Sequence, residues 1–216
     1  MAGFKKTLLI SISTALLGVV VLFAFDTQIW ISTKNLIPSD VIYIPKAVSR
    51  RGLYVFYFIF AGLMIYALYK KNQKLKDLWW AYIKAQFIFS FGVVRCMKIF
   101  FGRARPKYGG EFTFFSLDSH YNSFPSGHSA DAFVSGVFLY YVLKYSKYSP
   151  YRFLPLAYAL MIAFSRVAVS AHYLSDVVAG IAIGLLGAFL YVSKHHEKHT
   201  RQAIFASKDA PQFLSP

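Results

Sequence analysis

Two stretches of this 216-residue chain, Thr7 to Phe25 and Gly52 to Tyr69, carry no charged side chain at all. Each is close to the ~20 apolar residues a helix needs to cross ~30 Å of hydrocarbon. Composition agrees: 56% of residues are hydrophobic, 15% are charged and the mean hydropathy is +0.44. Soluble domains carry roughly 25% charged residues. These features predict a polytopic membrane protein. The start, Met1 to Lys6 followed by an apolar run, resembles a signal peptide. The run is too long for that, and Phe25-Asp26-Thr27-Gln28 offers no small-residue cleavage site, so a retained first span is expected.

Four further segments qualify as spans once a few charges are tolerated: Trp79 to Phe101, Ser129 to Tyr145, Tyr151 to Ser170 and Leu174 to Ser193. The expected fold is all-α, a six-span transmembrane helical bundle. A single transmembrane domain would cover residues 1–193, and a basic cytoplasmic tail would cover 194–216. Residues Asp26 to Arg51 read as an outer loop, part of it able to lie along the interface. Trp79 and Trp80 fit an aromatic belt at the inner interface.

The basic residues set the orientation. With the N-terminus inside, thirteen fall on the cytoplasmic side: Lys5, Lys6, Lys70, Lys71, Lys74, Lys76, Lys144, Lys147, Arg152, Lys194, Lys198, Arg201 and Lys208. Seven fall outside: Lys34, Lys46, Arg50, Arg51, Arg103, Arg105 and Lys107. The bias predicts N-in, C-in. A net charge of +15 suggests nucleic acid in a soluble protein, but here no polar domain exists to bind it. Anionic lipid is the expected partner. The single cysteine, Cys96, cannot form an intramolecular disulfide.

Lys84, Arg95, Lys98 and Arg166 lie within or at the edge of apolar spans, where an ionisable group is costly. Snorkelling suffices for Lys84. Arg95 is open to either reading, whereas Lys98 and Arg166 belong to a larger pattern, because this topology brings three stretches to the outer, periplasmic face. They are Lys98 to Pro106 at the exit of span three, Pro125-Ser126-Gly127-His128 at the entrance of span four, and Arg166 through His172 to Asp176 between spans five and six.

Lys98, Arg105 and Arg166 supply positive charge, and guanidinium forks match phosphate oxygens. Ser126 and Gly127 precede a helix, whose free backbone N–H groups are expected to face an anion. Gly127, lacking Cβ, would permit close approach. Nothing resembles a carboxylate cluster for magnesium or calcium, so a metal-free phosphate cradle is expected, with no cofactor. His172 and Asp176 are one helical turn apart, so the carboxylate can orient the ring and leave its other nitrogen as a nucleophile. His128 is then free to protonate a leaving oxygen.

Together these stretches resemble the signature of the type 2 phosphatidic acid phosphatase superfamily: Lys-x6-Arg-Pro, Pro-Ser-Gly-His and Ser-Arg-x5-His-x3-Asp. They read here as Lys98 to Pro106, Pro125 to His128, and Ser165-Arg166 to Asp176, without departure. The resemblance implies that His172 attacks phosphorus to form a phosphohistidine, oriented by Asp176. His128 would protonate the leaving group and then activate water, while Lys98, Arg105, Ser126, Gly127 and Arg166 hold the phosphate oxygens. Arg103 lies in the first motif region without being required by the pattern. Vanadium haloperoxidases share the signature but are soluble.

The expected function is hydrolysis of a lipid phosphate monoester or diphosphate at the outer face, with lipid A phosphate or undecaprenyl diphosphate as substrate. That preference comes from the loop between Arg105 and Ser126. Glu111, Asp118, His120 and Asn122 there offer hydrogen bonds, and Phe112, Phe114, Phe115, Tyr121 and Phe124 offer faces to acyl chains or a sugar. Phosphatidylglycerophosphate or phosphatidic acid is the alternative. An inactive lipid-binding protein or a transporter is the reading from another class, although a transporter would place its polar groups nearer mid-bilayer. His195, His196 and His199, beside Glu197, read as a solvated tail.

Overall fold

The structure, a computed structural model, describes the backbone of residues 2–208 and the side chains of residues 18 and 20–200. The side chains of Lys5, Lys6, Arg201 and Lys208, which entered the charge count, lie outside the described residues, as do residues 209–216. The described residues are helical apart from short connections and one isolated bridge between Arg103 and Phe112.

The helices are α1 (Ala2–Leu36), α2 (Tyr43–Tyr69), α3 (Gln73–Ala85), α4 (Val94–Phe101), α5 (Gly127–Lys144), α6 (Leu154–Ala168) and α7 (Leu174–Lys208). A π-helical segment, Gln86–Val93, joins α3 to α4 without a break. Asn72 caps α3 by accepting from the Leu75 N–H at 3.0 Å. At the other end of that rod Gly102 takes the left-handed conformation, φ 51°, and a Cβ there would lie 1.8 Å from the Thr113 carbonyl oxygen. Only glycine ends the helix this way.

The expected loop from Asp26 to Arg51 is a correction. α1 continues to Leu36 and α2 starts at Tyr43, so only residues 37–42 connect them. Asp26 ends the uncharged run read as the first span, but the helix runs on because Asp26 pairs with Arg103 inside the bundle (below). α7 likewise runs past Ser193 to Lys208.

The core is aromatic and aliphatic. Phe56, Phe60, Leu78, Tyr82, Phe138 and Ile162 pack where α2, α3, α5 and α6 meet, with Phe60 and Tyr82 stacked at 3.6 Å. α5 and α7 approach through small residues: a Cβ on Gly180 would sit 2.3 Å from the Ser126 carbonyl oxygen. Close backbone packing of this kind suits helices in lipid, where dispersion rather than water exclusion holds them together.

The bundle's exterior is apolar, with Phe58, Ile65, Phe87, Phe91 and Phe164 all exposed. A soluble surface avoids such a belt. Among the described residues two helices are long and apolar enough to cross a membrane, Tyr43–Tyr69 and Leu174–Thr200. Lys84 and Arg95 are exposed on this exterior. Trp80 is exposed, whereas Trp79 turns inward and donates to the Phe60 carbonyl at 3.1 Å.

Contacts define two ends. At one end the start of α3 meets the late part of α7: the Lys74 carbonyl lies 3.0 Å from His195 Nε2, and Lys198 pairs with Asp77 at 2.6 Å. His195 is buried there, not solvated as expected, because α7 stays helical and presses it against α3. The other end collects the late parts of α1, α4 and α6 with the early parts of α2, α5 and α7.

Candidate active site

At that second end Asp176, on the first turn of α7, is fully buried. Its Oδ1 accepts from Arg103 at 2.7 Å, and its Oδ2 accepts from the Ser123 hydroxyl at 2.5 Å and from the Tyr173 N–H at 2.9 Å. His172 Nδ1 faces the same Oδ2 at 3.6 Å, and the Ser123 oxygen lies 3.5 Å from that nitrogen. The first distance is longer than a hydrogen bond. Ser123 therefore fills the corner between ring and carboxylate, and the carboxylate orients the imidazole without gripping it tightly.

His172 occupies the turn between α6 and α7 and is 2% exposed. Burial pushes its imidazole far down, to about 3; Asp176 opposes this, while Lys98 and Arg166 add to it. The ring is neutral at any ordinary pH. With Nδ1 toward Asp176, the lone pair of a nucleophile falls to Nε2.

The cations surround the second histidine. The charges of Arg166, Lys98 and Arg105 all act on His128, and those of Lys98 and Arg166 also act on His172. Lys98 is steered by the carbonyls of Asn122 and, at 3.3 Å, Ser123, both of which accept from Nζ. Arg166 donates to the side chain of Ser49 and to its carbonyl at 3.3 Å, while its buried Nε has no partner. Positive charge concentrated this way, with a donor to spare, is suited to an anion with several oxygens.

α5 starts at Gly127, with Ser126 as its cap. The Ser126 N–H was expected to be free for an anion, yet it donates to the Asp176 carbonyl at 2.9 Å. Its hydroxyl accepts from Ser129 Oγ at 2.9 Å and is buried. Docking of α5 against α7 uses up these groups, so helix geometry leaves the N–H groups of Gly127 and His128 as the outward donors. A Cβ on Gly127 would meet only Val94, at 3.6 Å, so the space above it is open.

Beneath the site lies a network that sequence reasoning missed. Arg103 is 4% exposed and donates to Asp26 Oδ2 at 2.8 Å, to Ser175 Oγ at 2.7 Å and to Asp176. Its guanidinium carbon sits 4.2 Å from the Tyr173 ring centroid and 4.7 Å from that of Phe23. Asp26 also accepts from the Ser175 N–H at 3.0 Å. A lone acid in an apolar helix was the available signal for Asp26, and Ser123 carried none.

In the loop above, Phe112, Phe114 and Phe115 are exposed, and Asp118 pairs with His120 at 2.8 Å. Phe124 is a correction: it is buried among Phe23, Phe101 and Met97 and cannot face a substrate.

Comparison with known proteins gives a consistent picture. The chain is 37% identical over 146 residues to the lipid A 1-phosphatase of Rhizobium etli, covering 61% of this chain and 61% of that protein. It is 38% identical over 135 residues to the lipid A 1-phosphatase of Rhizobium johnstonii, covering 58% and 53% respectively. It thus spans less than two thirds of the length of these relatives. Among solved structures, Aquifex aeolicus LpxE superposes with a TM-score of 0.58 at 21% identity, over 78% of this chain and 95% of that one. The transmembrane PAP2 type phosphatidylglycerolphosphate phosphatase from Bacillus subtilis gives 0.61 at 20% identity, over 94% and 98%. Both share the fold. The PAP2 superfamily model matches residues 77–200, more than half of the chain, and the chain belongs to that superfamily.

Proposed function

We propose that this protein is an integral membrane lipid phosphatase that works through a phosphohistidine. One observation carries the reading: Lys98, Arg105 and Arg166 act together on His128 beside a neutral His172 that Asp176 orients. His172 Nε2 attacks phosphorus, and the P–O bond to the lipid breaks as His128 delivers a proton to the departing oxygen. Asp176, held in place by Arg103, stabilises the positive charge that develops on the His172 ring. Water, deprotonated by His128, then attacks the phosphohistidine and releases inorganic phosphate. Lys98, Arg105, Arg166 and the Gly127 and His128 N–H groups bind the equatorial oxygens, and Ser126 holds the loop that presents them. These side chains supply the countercharge themselves.

Six spans would carry this site as one domain over residues 1–193, with the 194–216 segment cytoplasmic and the site at the outer face of a bacterial inner membrane. The substrate we favour is a lipid A phosphate, in line with the lipid A 1-phosphatases of the two Rhizobium species; undecaprenyl diphosphate is the second candidate. Purified protein in detergent, assayed for phosphate release from lipid A, undecaprenyl diphosphate, phosphatidylglycerophosphate and phosphatidic acid, tests both levels. Release that survives EDTA and stops with vanadate supports the chemistry. No release from any of the four overturns it.

A further inference from the structure

A groove of about 690 Å³ opens between α2, the α3–π–α4 rod and α5, and it ends at Gly127 and His128. Most of its wall is apolar, including Leu53, Phe60, Ile83, Phe87 and Phe91. Below the histidine the wall turns polar. Asp131 accepts from the Tyr57 hydroxyl and, at 2.7 Å, from Gln86 Nε2. That same amide nitrogen also reaches the Asp131 carbonyl at 3.2 Å and Ser135 Oγ at 2.9 Å. With its nitrogen committed to these acceptors the Gln86 amide has one sensible orientation, since flipping it would set oxygen against carboxylate. Oε1 must then face elsewhere, and it is buried without a partner.

Ser90 repeats the situation four residues on. Its hydroxyl is buried, has no partner and belongs to a residue of the same groove. In an α-helix a serine commonly bonds back to the carbonyl four residues earlier, but the Gln86–Val93 segment is π-helical, which displaces that carbonyl. Two orphaned polar atoms on residues that line one wall of an apolar groove are a cost the fold carries without return, unless a ligand meets them.

We infer that this groove holds the acyl region of the lipid whose phosphate sits at His128, and that Gln86 Oε1 and Ser90 Oγ bind a hydroxyl or amide N–H on it. This rests on the function proposed above and specifies its substrate class. Gln86 Oε1 is an acceptor only and needs a donor. Ester-linked chains offer acceptors, and polyprenyl chains offer nothing polar. Asp131 follows His128 by three residues, about 4.5 Å along the helix, so the donor lies close under the headgroup. A β-hydroxyacyl or N-acyl linkage meets that requirement.

The test uses two synthetic lipid phosphates identical except for a hydroxyl at the β-carbon of one chain, assayed with the purified full-length protein. The hydroxylated lipid should show about tenfold higher kcat/KM, equivalent to about 1.4 kcal/mol. Ser90→Ala, which removes no hydrogen bond seen in the structure, should bring the ratio to about threefold, and Ser90→Ala with Gln86→Leu to near one. Equal rates on both lipids with wild type would overturn the groove assignment while leaving the phosphatase intact. A preference that persists in both variants would overturn it as well. Hydrolysis of neither lipid would overturn this inference together with the proposed function.

Discussion

One guanidinium, that of Arg103, bonds Asp26 of α1 at 2.8 Å and Asp176 of α7 at 2.7 Å. All three side chains are at most 5% exposed. Two buried carboxylates therefore share one cation, and the one that orients His172 is anchored through it to the first helix. Removing one partner of a buried pair costs about 3–5 kcal/mol, because the remaining charge is stranded. Arg103→Leu should accordingly lower the thermal midpoint in detergent sharply and abolish turnover. Asp26→Asn leaves the Arg103–Asp176 bond in place, so it should destabilise less and retain measurable kcat. If Arg103→Leu matches wild type in both melting and kcat, the network is not what holds Asp176.

His172 and His128 should separate kinetically. His172→Ala removes the proposed nucleophile and should form no phosphoenzyme from a radiolabelled lipid. His128→Ala should slow both steps and trap the phosphohistidine if the second slows more. Asp176→Asn should cut kcat by about 10⁴, the size seen when an orienting carboxylate is neutralised elsewhere. An acid-labile label retained in His172→Ala would remove that residue from the nucleophile's role.

Sequence and structure part company in an instructive way. The motif residues Lys98, Arg105, His128, Arg166, His172 and Asp176 were legible because fixed spacing places them at helix ends, where a bundle gathers them. Asp26 was misread because burial of a charge depends on a partner 77 residues away in the chain, and periodicity is blind to that. Ser123 and Gln86 escaped for another reason. Their significance is which atom of each is already satisfied, and that exists only once α3, α5 and α7 have packed.

The buried His172 also fixes a pH dependence. Its imidazole titrates near 3 in the folded protein, against about 6.5 unfolded. Above 6.5 both states hold it neutral. Below 6.5 the unfolded chain takes up a proton that the folded site refuses, so stability falls as pH drops from 6.5 toward 3, by at most about 1.4 kcal/mol per unit. Thermal unfolding at pH 7 and pH 5 should show this loss, and His172→Gln should reduce it. An equal decline in wild type and His172→Gln would assign it to other groups. The same shift means that an acid limb in kcat/KM between pH 5 and 7 does not come from His172.

Orientation is the last expectation. The end opposite the site carries Lys70 and Lys71 in the turn into α3 and Lys74 and Lys76 at the start of that helix, with Lys194 and Lys198 beside them on α7. Basic residues near helix ends favour the cytoplasm. The site end carries Lys34, Lys46, Arg50, Arg51 and Lys107, but Lys98, Arg103 and Arg166 there bond groups within the bundle, and Arg105 lies close enough for its charge to act on His128. Discounting committed charges widens the bias toward a cytoplasmic α3–α7 end. Since α7 starts at the site and ends beside α3, a phosphatase reporter fused after Pro216 should be silent and a fluorescent one bright. A reporter inserted at Leu117, an exposed position in the site-end loop, should give the reverse. Phosphatase activity from the Pro216 fusion in intact cells would invert the protein and put the catalytic end in the cytoplasm.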